Sequence, residues 1–130
     1  MIKINGIGGI FFKAKDPSKI KAWYEKHLGI PADESGASFF WRGKDNAGHI
    51  GKTVWSVFPN NTKYFEPGGA SFMINYRANN IYEIVNELQK SGIELVGNIE
   101  EYEYGRFAWI LDPEGNKIEL WEPIGEEGQN

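Results

Sequence analysis

Near its N-terminus the chain contains a stretch in which polar residues alternate with an apolar set, as they do in a half-buried strand. The apolar positions of this stretch, residues 9–15, are Ile10, Phe12 and Ala14. Asp16 and Pro17 follow, and this pair favours the start of a helix. Apolar side chains then recur at helical spacing as far as Gly29, a residue suited to ending a helix. The pattern predicts a strand followed by a helix.

The same pattern returns about 64 residues later. The alternating apolar positions are now Ile74, Tyr76 and Ala78. Asn80 takes the capping place of Asp16, and Gly92 ends the second helix one residue earlier than Gly29 ends the first. The offset also places the segment WSVFP (55–59) on ELWEP (119–123). Because such self-similarity at a fixed period indicates a structural repeat, the chain is described best as two similar halves.

Each predicted helix is followed by three short runs with the composition of strands. In the first half they are residues 31–35, 38–42 and 52–58, and in the second half they are residues 93–97, 106–111 and 117–122. A turn at Asp112–Asn116 joins the last two as a hairpin. Each half is therefore predicted to be a βαβββ module. We expect one domain with module 1 at about 1–60, module 2 at about 70–124 and a flexible tail at 125–130.

Composition then narrows the class of protein. The chain has 130 residues, of which 41% are hydrophobic and 15% aromatic, and this fits one folded domain. A net charge of −4 without a run of Lys or Arg argues against a nucleic-acid or membrane surface. The N-terminal residues lack the pattern of a secretory signal, so we expect a cytoplasmic protein. With no cysteine, the chain can form neither a disulfide nor a thiolate metal site.

The paired modules, with DP…WYEKHLGI in the first and DPEGNKIELWEP in the second, resemble the vicinal-oxygen-chelate superfamily. This superfamily includes glyoxalase I, extradiol dioxygenases and bleomycin-resistance proteins. The resemblance covers nearly the whole chain and implies an α+β fold in which the sheet curves into a cup, with the helices outside and the ligand inside. It also implies a homodimer.

The resemblance further implies four places from which metal ligands come in the enzymes of the superfamily, on the first and last strand of each module. At the 64-residue offset these places are Gly9, Trp55, Met73 and Glu119. Glu119 is the one that supplies a ligand for a hard divalent metal. We therefore expect no metal cofactor, with the site of the superfamily largely lost. His27 and His49 are interpreted as a helix-end and a loop histidine, although a loop at the mouth of the cup could bring His49 to a ligand.

Alternation along the strands predicts which side chains face into the cup. If Ile10, Phe12 and Ala14 face the helix, their neighbours face inward, and the other strands are assigned in the same way. The predicted ligand-binding residues are Phe11, Lys13, Trp55, Met73, Asn75, Arg77, Phe107, Trp109 and Trp121, around Glu119 as the candidate catalytic residue. These residues form an apolar pocket with few polar groups, which is typical of a small-molecule site. An aromatic-rich core or a dimer contact is the other interpretation of the same residues.

Glu119 has three interpretations. It could contact a ligand or act as a general acid or base, it could be neutralised by Lys13, Arg77 or Arg106, or it could be a vestige of metal binding. Two functions follow. The first is a binding protein, like the bleomycin-resistance proteins, for a small aromatic or apolar molecule. The alternative is a lyase, isomerase or dioxygenase that uses Glu119 or an unconventional divalent metal. A third possibility is an interaction module whose cup is filled by its own side chains.

Overall fold

The computed structural model describes residues 4–125, and we refer to its elements in chain order. The strands are Ile4–Ala14 (β1), Ala37–Arg42 (β2), Ile50–Pro59 (β3), Phe72–Ala78 (β4), Glu100–Tyr102 (β5), Gly105–Leu111 (β6) and Lys117–Pro123 (β7). The helices are Pro17–Leu28 (α1), which follows β1, and Ile81–Lys90 (α2), which follows β4. Within this part of the chain no helix is long and apolar enough to cross a membrane. Residues 126–130 of the predicted tail lie outside the described residues.

The strands form one mixed sheet in the order β2-β3-β1-β4-β7-β6-β5. In each half the first strand pairs in parallel with the last, β1 with β3 and β4 with β7. The two halves meet where β1 runs antiparallel to β4 in the middle of the sheet. The sheet is curved and open, and this arrangement confirms the expected α+β fold.

Both helices begin and end where the sequence predicts. The Asp16 carboxylate accepts a hydrogen bond from the Lys19 amide at 3.1 Å, and the Asn80 side chain accepts one from the Glu83 amide at 3.2 Å. Gly29 ends α1 with φ +71°, a conformation that favours glycine. The two helices differ in burial: α2 buries Ile81, Ile84 and Val85, whereas α1 buries none of its residues. The second half therefore holds the better-packed helix.

The strand predicted at residues 31–35 is wrong. This segment contains a single bridge, between Asp33 and Gly36. The Asp33 carboxylate accepts hydrogen bonds from both the amide and the hydroxyl of Ser35, at 2.8 Å each. Such a local side-chain-to-backbone bond turns the chain and competes with strand pairing. The first half is therefore βαββ.

The strand predicted at residues 93–97 is also wrong, and the strand of this region begins later, at β5. The Ile93 amide donates to the Leu88 carbonyl at 3.0 Å, so residue 93 completes the end of α2. Val96 makes one hydrogen bond toward the sheet, from its amide to the Trp109 carbonyl at 2.7 Å. The second half nevertheless keeps three strands after its helix, as the predicted module requires.

The inward position predicted for Trp55 is wrong. Phe11 pairs with Ser56 across β1 and β3, just as Asn75 pairs with Glu119 across β4 and β7. Phe11 and Asn75 are 64 positions apart, but Ser56 and Glu119 are 63 apart, like the glycines that end the helices. The two intervals thus differ by one residue. Because side chains alternate between the faces of a strand, this difference places Ser56 on the inward face and Trp55 on the helix-covered face. There its ring lies 5.4 Å from Phe12 and 5.0 Å from Tyr24 of α1.

Candidate functional site

Glu119 lies in the middle of the concave face and is 2% exposed. Its neighbours on the adjacent strands are fixed by register, with Asn75 on one side and Trp109 on the other. The Asn75 Nδ2 atom donates to Oε2 at 2.5 Å, and the Trp109 Nε1 atom donates to Oε1 at 2.9 Å. The Tyr64 hydroxyl also donates to Oε1. The carboxylate is thus held by three neutral donors.

Among residues 4–125 no salt bridge reaches Glu119, and its three hydrogen-bond donors compensate for its burial. Hydrogen bonds to an ionised carboxylate are stronger than those between neutral groups, so several of them can offset part of the cost of desolvation. Burial, and next the charge of Glu119, raises the pKa of Tyr64 above its ordinary value, so the phenol stays protonated and remains a donor. Arg106, one of the cations considered as a partner, pairs instead with Glu101 and Glu122 at 3.1 and 3.0 Å.

A cavity of about 360 Å³, which we call the Glu119 cavity, opens beside this carboxylate. Aromatic and aliphatic side chains form most of its wall, and a small number of polar groups complete it. Its lining residues are Gly8, Phe11, Lys52, Val54, Ser56, Phe58, Tyr64, Asn75, Tyr104, Phe107, Glu119 and Trp121. Both the volume, within the usual range of roughly 300–1,000 Å³, and the lining are those of a small-molecule site.

The structure brings about half of the predicted ligand-binding residues to this cavity. Those at its wall are Phe11, Asn75, Phe107 and Trp121, together with Glu119. Met73 is instead 1% exposed and fills the core beneath, in a cluster with Phe11, Phe65 and Trp109. Lys13 lies over the ring of Phe65, with 5.5 Å from Nζ to the ring centre. Met73 therefore belongs to the core rather than to the wall of the cavity.

Arg77 occupies a separate cluster on the same strand as Asn75. Its guanidinium carbon lies 5.1 Å from the ring centre of Trp41 and 5.3 Å from that of Trp121. Its Nη2 atom lies 3.3 Å from Nε2 of His49. The loop that carries His49 thus brings this residue to the concave side of the sheet, a placement that the sequence left open. The neighbour of His49 there is Arg77 and not Glu119.

Sequence reasoning missed the contribution of the connector between the modules. This Asn-, Gly- and Pro-rich segment carries Tyr64 and Phe65, and Phe65 is 1% exposed in the core cluster. The ring of Tyr64 stacks on Phe58, with centres 5.6 Å apart and planes within 3°. Two adjacent aromatic residues in an otherwise polar connector were the available signal, since such residues are costly to expose. The connector thus occupies part of the concave face and divides it.

A second cavity, of about 420 Å³, lies on the other side of Tyr64, and we call it the Lys117 cavity. Tyr64, Tyr104 and Phe107 line both cavities and so form the wall between them. The remaining lining residues of the Lys117 cavity are Lys63, Val96, Glu100, Tyr102, Trp109 and Lys117. Trp109, one of the predicted ligand-binding residues, therefore lines this second cavity, while its indole N–H donates a hydrogen bond to Glu119.

The residues around Glu119 do not fit a divalent metal. Among residues 4–125 no group of three or more His, Asp or Glu side chains is placed to hold a metal ion. Ser56, rather than Trp55, occupies the inward position of the first half, and its hydroxyl donates to the Ser35 carbonyl at 3.2 Å. A metal at Glu119 would have to displace the three donors that hold the carboxylate, and Gly9 and Met73 offer no hard ligand in return.

Comparison with known proteins agrees with this fold. Residues 6–120 match the family model described as the glyoxalase/bleomycin resistance protein/dioxygenase superfamily. None of the curated proteins compared with the chain by sequence matches it.

Solved structures show the same fold at low sequence identity. A variant methylmalonyl-CoA epimerase from Streptomyces coelicolor, in complex with 2-nitronate-propionyl-CoA, has a TM-score of 0.69 and 12% identity, over 95% of this chain and 100% of that one. The Mycobacterium tuberculosis epimerase has a TM-score of 0.59 and 17% identity, over 93% and 89%. A superfamily member from Vibrio splendidus has a TM-score of 0.55 and 10% identity, over 95% and 100%. The chain belongs to the glyoxalase/bleomycin resistance protein/dioxygenase superfamily.

Proposed function

We propose that the protein binds a small, planar and largely apolar molecule in the Glu119 cavity. The observation that supports this most is a buried carboxylate, held by three neutral donors, at the wall of an apolar cavity. Phe11, Phe107 and Trp121 give that wall broad aromatic surfaces, which stabilise planar ligands by stacking and by burial of apolar area.

The chemistry of Glu119 adds one feature to the ligand. An ionised carboxylate offers about four acceptor positions, and three are used by Tyr64, Asn75 and Trp109. A ligand with one N–H or O–H group can use the remaining position and gain a charge-assisted hydrogen bond. We therefore infer that the ligand combines a flat apolar body with one hydrogen-bond donor.

Calorimetric titration with indole and indene tests this proposal. The two molecules have nearly the same shape, but only indole carries an N–H donor. Indole should bind at least about tenfold more tightly, since a hydrogen bond to a charged group is worth roughly 1.5–3 kcal/mol, and about 1.4 kcal/mol corresponds to a factor of ten. The change Val54→Trp should abolish binding because it fills the Glu119 cavity, whereas Val96→Trp, at the Lys117 cavity alone, should not. Equal binding of indole to both variants contradicts the proposal.

A second candidate is an enzyme that moves a proton at Glu119. The observation that favours it is the direct hydrogen bond between Tyr64 and Glu119, both of which line the cavity. A carboxylate beside a neutral phenol can act as a base while the phenol donates to a developing oxyanion. Two of the similar structures are epimerases by name, which is consistent with such a reaction.

Hydrogen exchange at carbon separates this candidate from simple binding. Incubation with 1-indanone in D₂O, followed by NMR, measures exchange of the proton next to the carbonyl. A proton-transfer enzyme should accelerate this exchange, and Glu119→Gln should remove the acceleration while the affinity for 1-indanone changes little. If bound 1-indanone exchanges at the rate of the buffer alone, the protein acts on this class of compound as a binder.

A further inference from the structure

The Lys117 cavity has a chemistry different from that of the Glu119 cavity. The Lys117 ammonium donates to the Tyr64 backbone carbonyl at 2.6 Å. Its Nζ atom also lies 5.2 Å from the ring centre of Tyr64 and 5.7 Å from that of Trp109. Because an ammonium has three N–H groups, two donors remain for a further partner. The cavity therefore presents a cation fixed against two aromatic faces.

Tyr64 and Trp109 separate this cation from the carboxylate of Glu119. Each directs its polar hydrogen to Glu119, and each turns its ring face toward Lys117. This orientation suits both ions, since the edge of an aromatic ring is electropositive and its face is electronegative. The Glu119 carboxylate thus lies on one side of the two rings and the Lys117 ammonium on the other. Lys52 also lines the Glu119 cavity, so the formal charge of that lining is zero.

The other lining residues of the Lys117 cavity fit a flat anion. Tyr102 and Tyr104 stack with ring centres 5.2 Å apart and planes within 4°, and Phe107 and Trp109 stack at 6.1 Å and 13°. These stacked pairs supply aromatic surface on which a planar ligand can lie. Lys63 adds a second cation and Glu100 one carboxylate, so the formal charge of the lining is +1. A singly charged anion matches this balance.

From these contacts we propose that the Lys117 cavity is a binding site for a planar aromatic monocarboxylate, whose carboxylate accepts the two remaining N–H groups of Lys117. Burial lowers the pKa of Lys117, while the charges of Glu119 and Glu100 act in the opposite direction. A carboxylate bound at Lys117 would further favour the charged ammonium. This site goes beyond the proposed function, since it uses a different cavity and a ligand that carries a negative charge and accepts hydrogen bonds.

Titration calorimetry with 2-naphthoate and 2-naphthamide tests the site. The two probes share their ring system and nearly their shape, but only the first carries a charge. Naphthoate should bind about tenfold more tightly than naphthamide, the size expected of one hydrogen-bonded charge pair. The change Lys117→Met should reduce this preference to about twofold or less, whereas Lys44→Met, at an exposed loop position, should leave it unchanged.

Further variants serve two purposes. One replaces Lys117→Met if that variant does not fold, and two others distinguish binding at the Lys117 cavity from binding at the Glu119 cavity. Should Lys117→Met fail to fold by circular dichroism, Lys63→Met takes its place and should weaken naphthoate binding about threefold through the lost charge. Val96→Trp should block naphthoate and spare indole, and Val54→Trp should do the reverse. Equal binding of the two naphthyl probes, no binding of naphthoate, or a preference that survives loss of the lysine would overturn the proposal. Each of these results leaves the indole experiment to be judged separately.

Discussion

At the scale of single residues, Asn75 links the site to the packing of β1. Glu119 is an acceptor, so the amide nitrogen of Asn75 faces it, and the amide oxygen is turned toward Gly8. Among the described residues this Oδ1 atom is buried without a hydrogen-bond partner. A Cβ atom at position 8 would lie 2.1 Å from Oδ1 and 2.9 Å from Trp121. The orientation of Asn75 therefore requires glycine at position 8.

The first prediction concerns this close approach. Gly8→Ala should lower the free energy of unfolding by about 1–3 kcal/mol, because the new methyl group must push Asn75 away from Glu119. Urea denaturation followed by circular dichroism measures the change. Gly69→Ala is the matched control, since a Cβ there has no neighbour within 4 Å. An unchanged stability for Gly8→Ala would show that the strand adjusts without cost.

The second prediction concerns Tyr64. Tyr64→Phe removes one of the three donors to Glu119 and keeps the ring that stacks on Phe58. Because Tyr64 is 38% exposed, we expect the low end of the range for such a bond, a loss of about 1 kcal/mol in the free energy of unfolding. Tyr104→Phe, at a residue 60% exposed, should change it much less.

The raised pKa of Tyr64 gives this variant a characteristic pH dependence. The phenol is held neutral in the folded state, so its stabilising contribution is present below its ordinary pKa of about 10 and is lost as the pH rises above it. The difference in stability between the wild type and Tyr64→Phe should therefore shrink as the pH rises above about 10. Chemical denaturation at a series of pH values measures it, and a constant difference would mean that the phenol titrates normally.

At the scale of elements, the connector between the modules acts as part of the core. Phe65 is 1% exposed and packs with Phe11, Met73 and Trp109. Phe65→Ala should therefore cost about 3–5 kcal/mol of stability, the usual range for deleting a buried aromatic ring. Phe40→Ala, on edge strand β2 at 71% exposure, is the control and should cost far less. A small effect at Phe65 would mean that the connector can leave the concave face without unfolding the sheet.

The sequence predicted the strands and helices of each half better than the faces of β3. Alternating apolar residues and helix caps are local signals, and they placed α1, β4 and α2 correctly. They also identified β1, although this strand begins at Ile4 and not at residue 9. The face of β3 depends on how many residues lie between two paired strands, and a difference of one residue reverses it. Gly29 and Gly92 are 63 residues apart, one fewer than the 64-residue offset between the first strands of the two halves. This difference of one residue indicates that Ser56, and not Trp55, takes the inward position of β3.

The position of Tyr64 was beyond such local reasoning. Tyr64 lies in a segment without regular secondary structure, and its hydrogen bond to Glu119 joins residues that are 55 positions apart. Sequence alternation identified Glu119, Asn75 and Trp109 because all three lie on neighbouring strands in register. A residue on a connector has no register, so only its aromatic character could have indicated burial.

At the scale of the whole molecule, the charge and donor set of the site argue against a resident metal. We predict that protein purified without chelator contains well below one equivalent of Mn, Fe, Ni or Zn per chain, because Glu119 is engaged by three donors and Met73 and Gly9 supply no hard ligand. Elemental analysis by mass spectrometry measures this. A stoichiometric metal whose removal also abolishes ligand binding would contradict the prediction.

The helix-covered face suggests how the whole chain assembles. Helix α2 covers the second half closely, but β1 and β4 in the middle of the sheet leave Ile10 and Phe72 at 44% and 47% exposure. Trp23 and Leu28 of α1 are also about half exposed or more, at 51% and 61%. Exposed apolar surface of this kind is typical of an interface, since it is costly to leave in water.

We therefore predict that the protein is a homodimer that buries the middle of this face. Sedimentation at micromolar concentration should give twice the mass of the chain. Ile10→Lys should convert the dimer to a folded monomer, because a charge placed in an apolar interface is desolvated without a partner. Leu111→Lys is the control: Leu111 is 38% exposed at the end of β6 and away from β1 and β4, so the dimer should persist. A wild-type monomer would contradict the prediction, and a dimer that tolerates Ile10→Lys would place the interface on another surface.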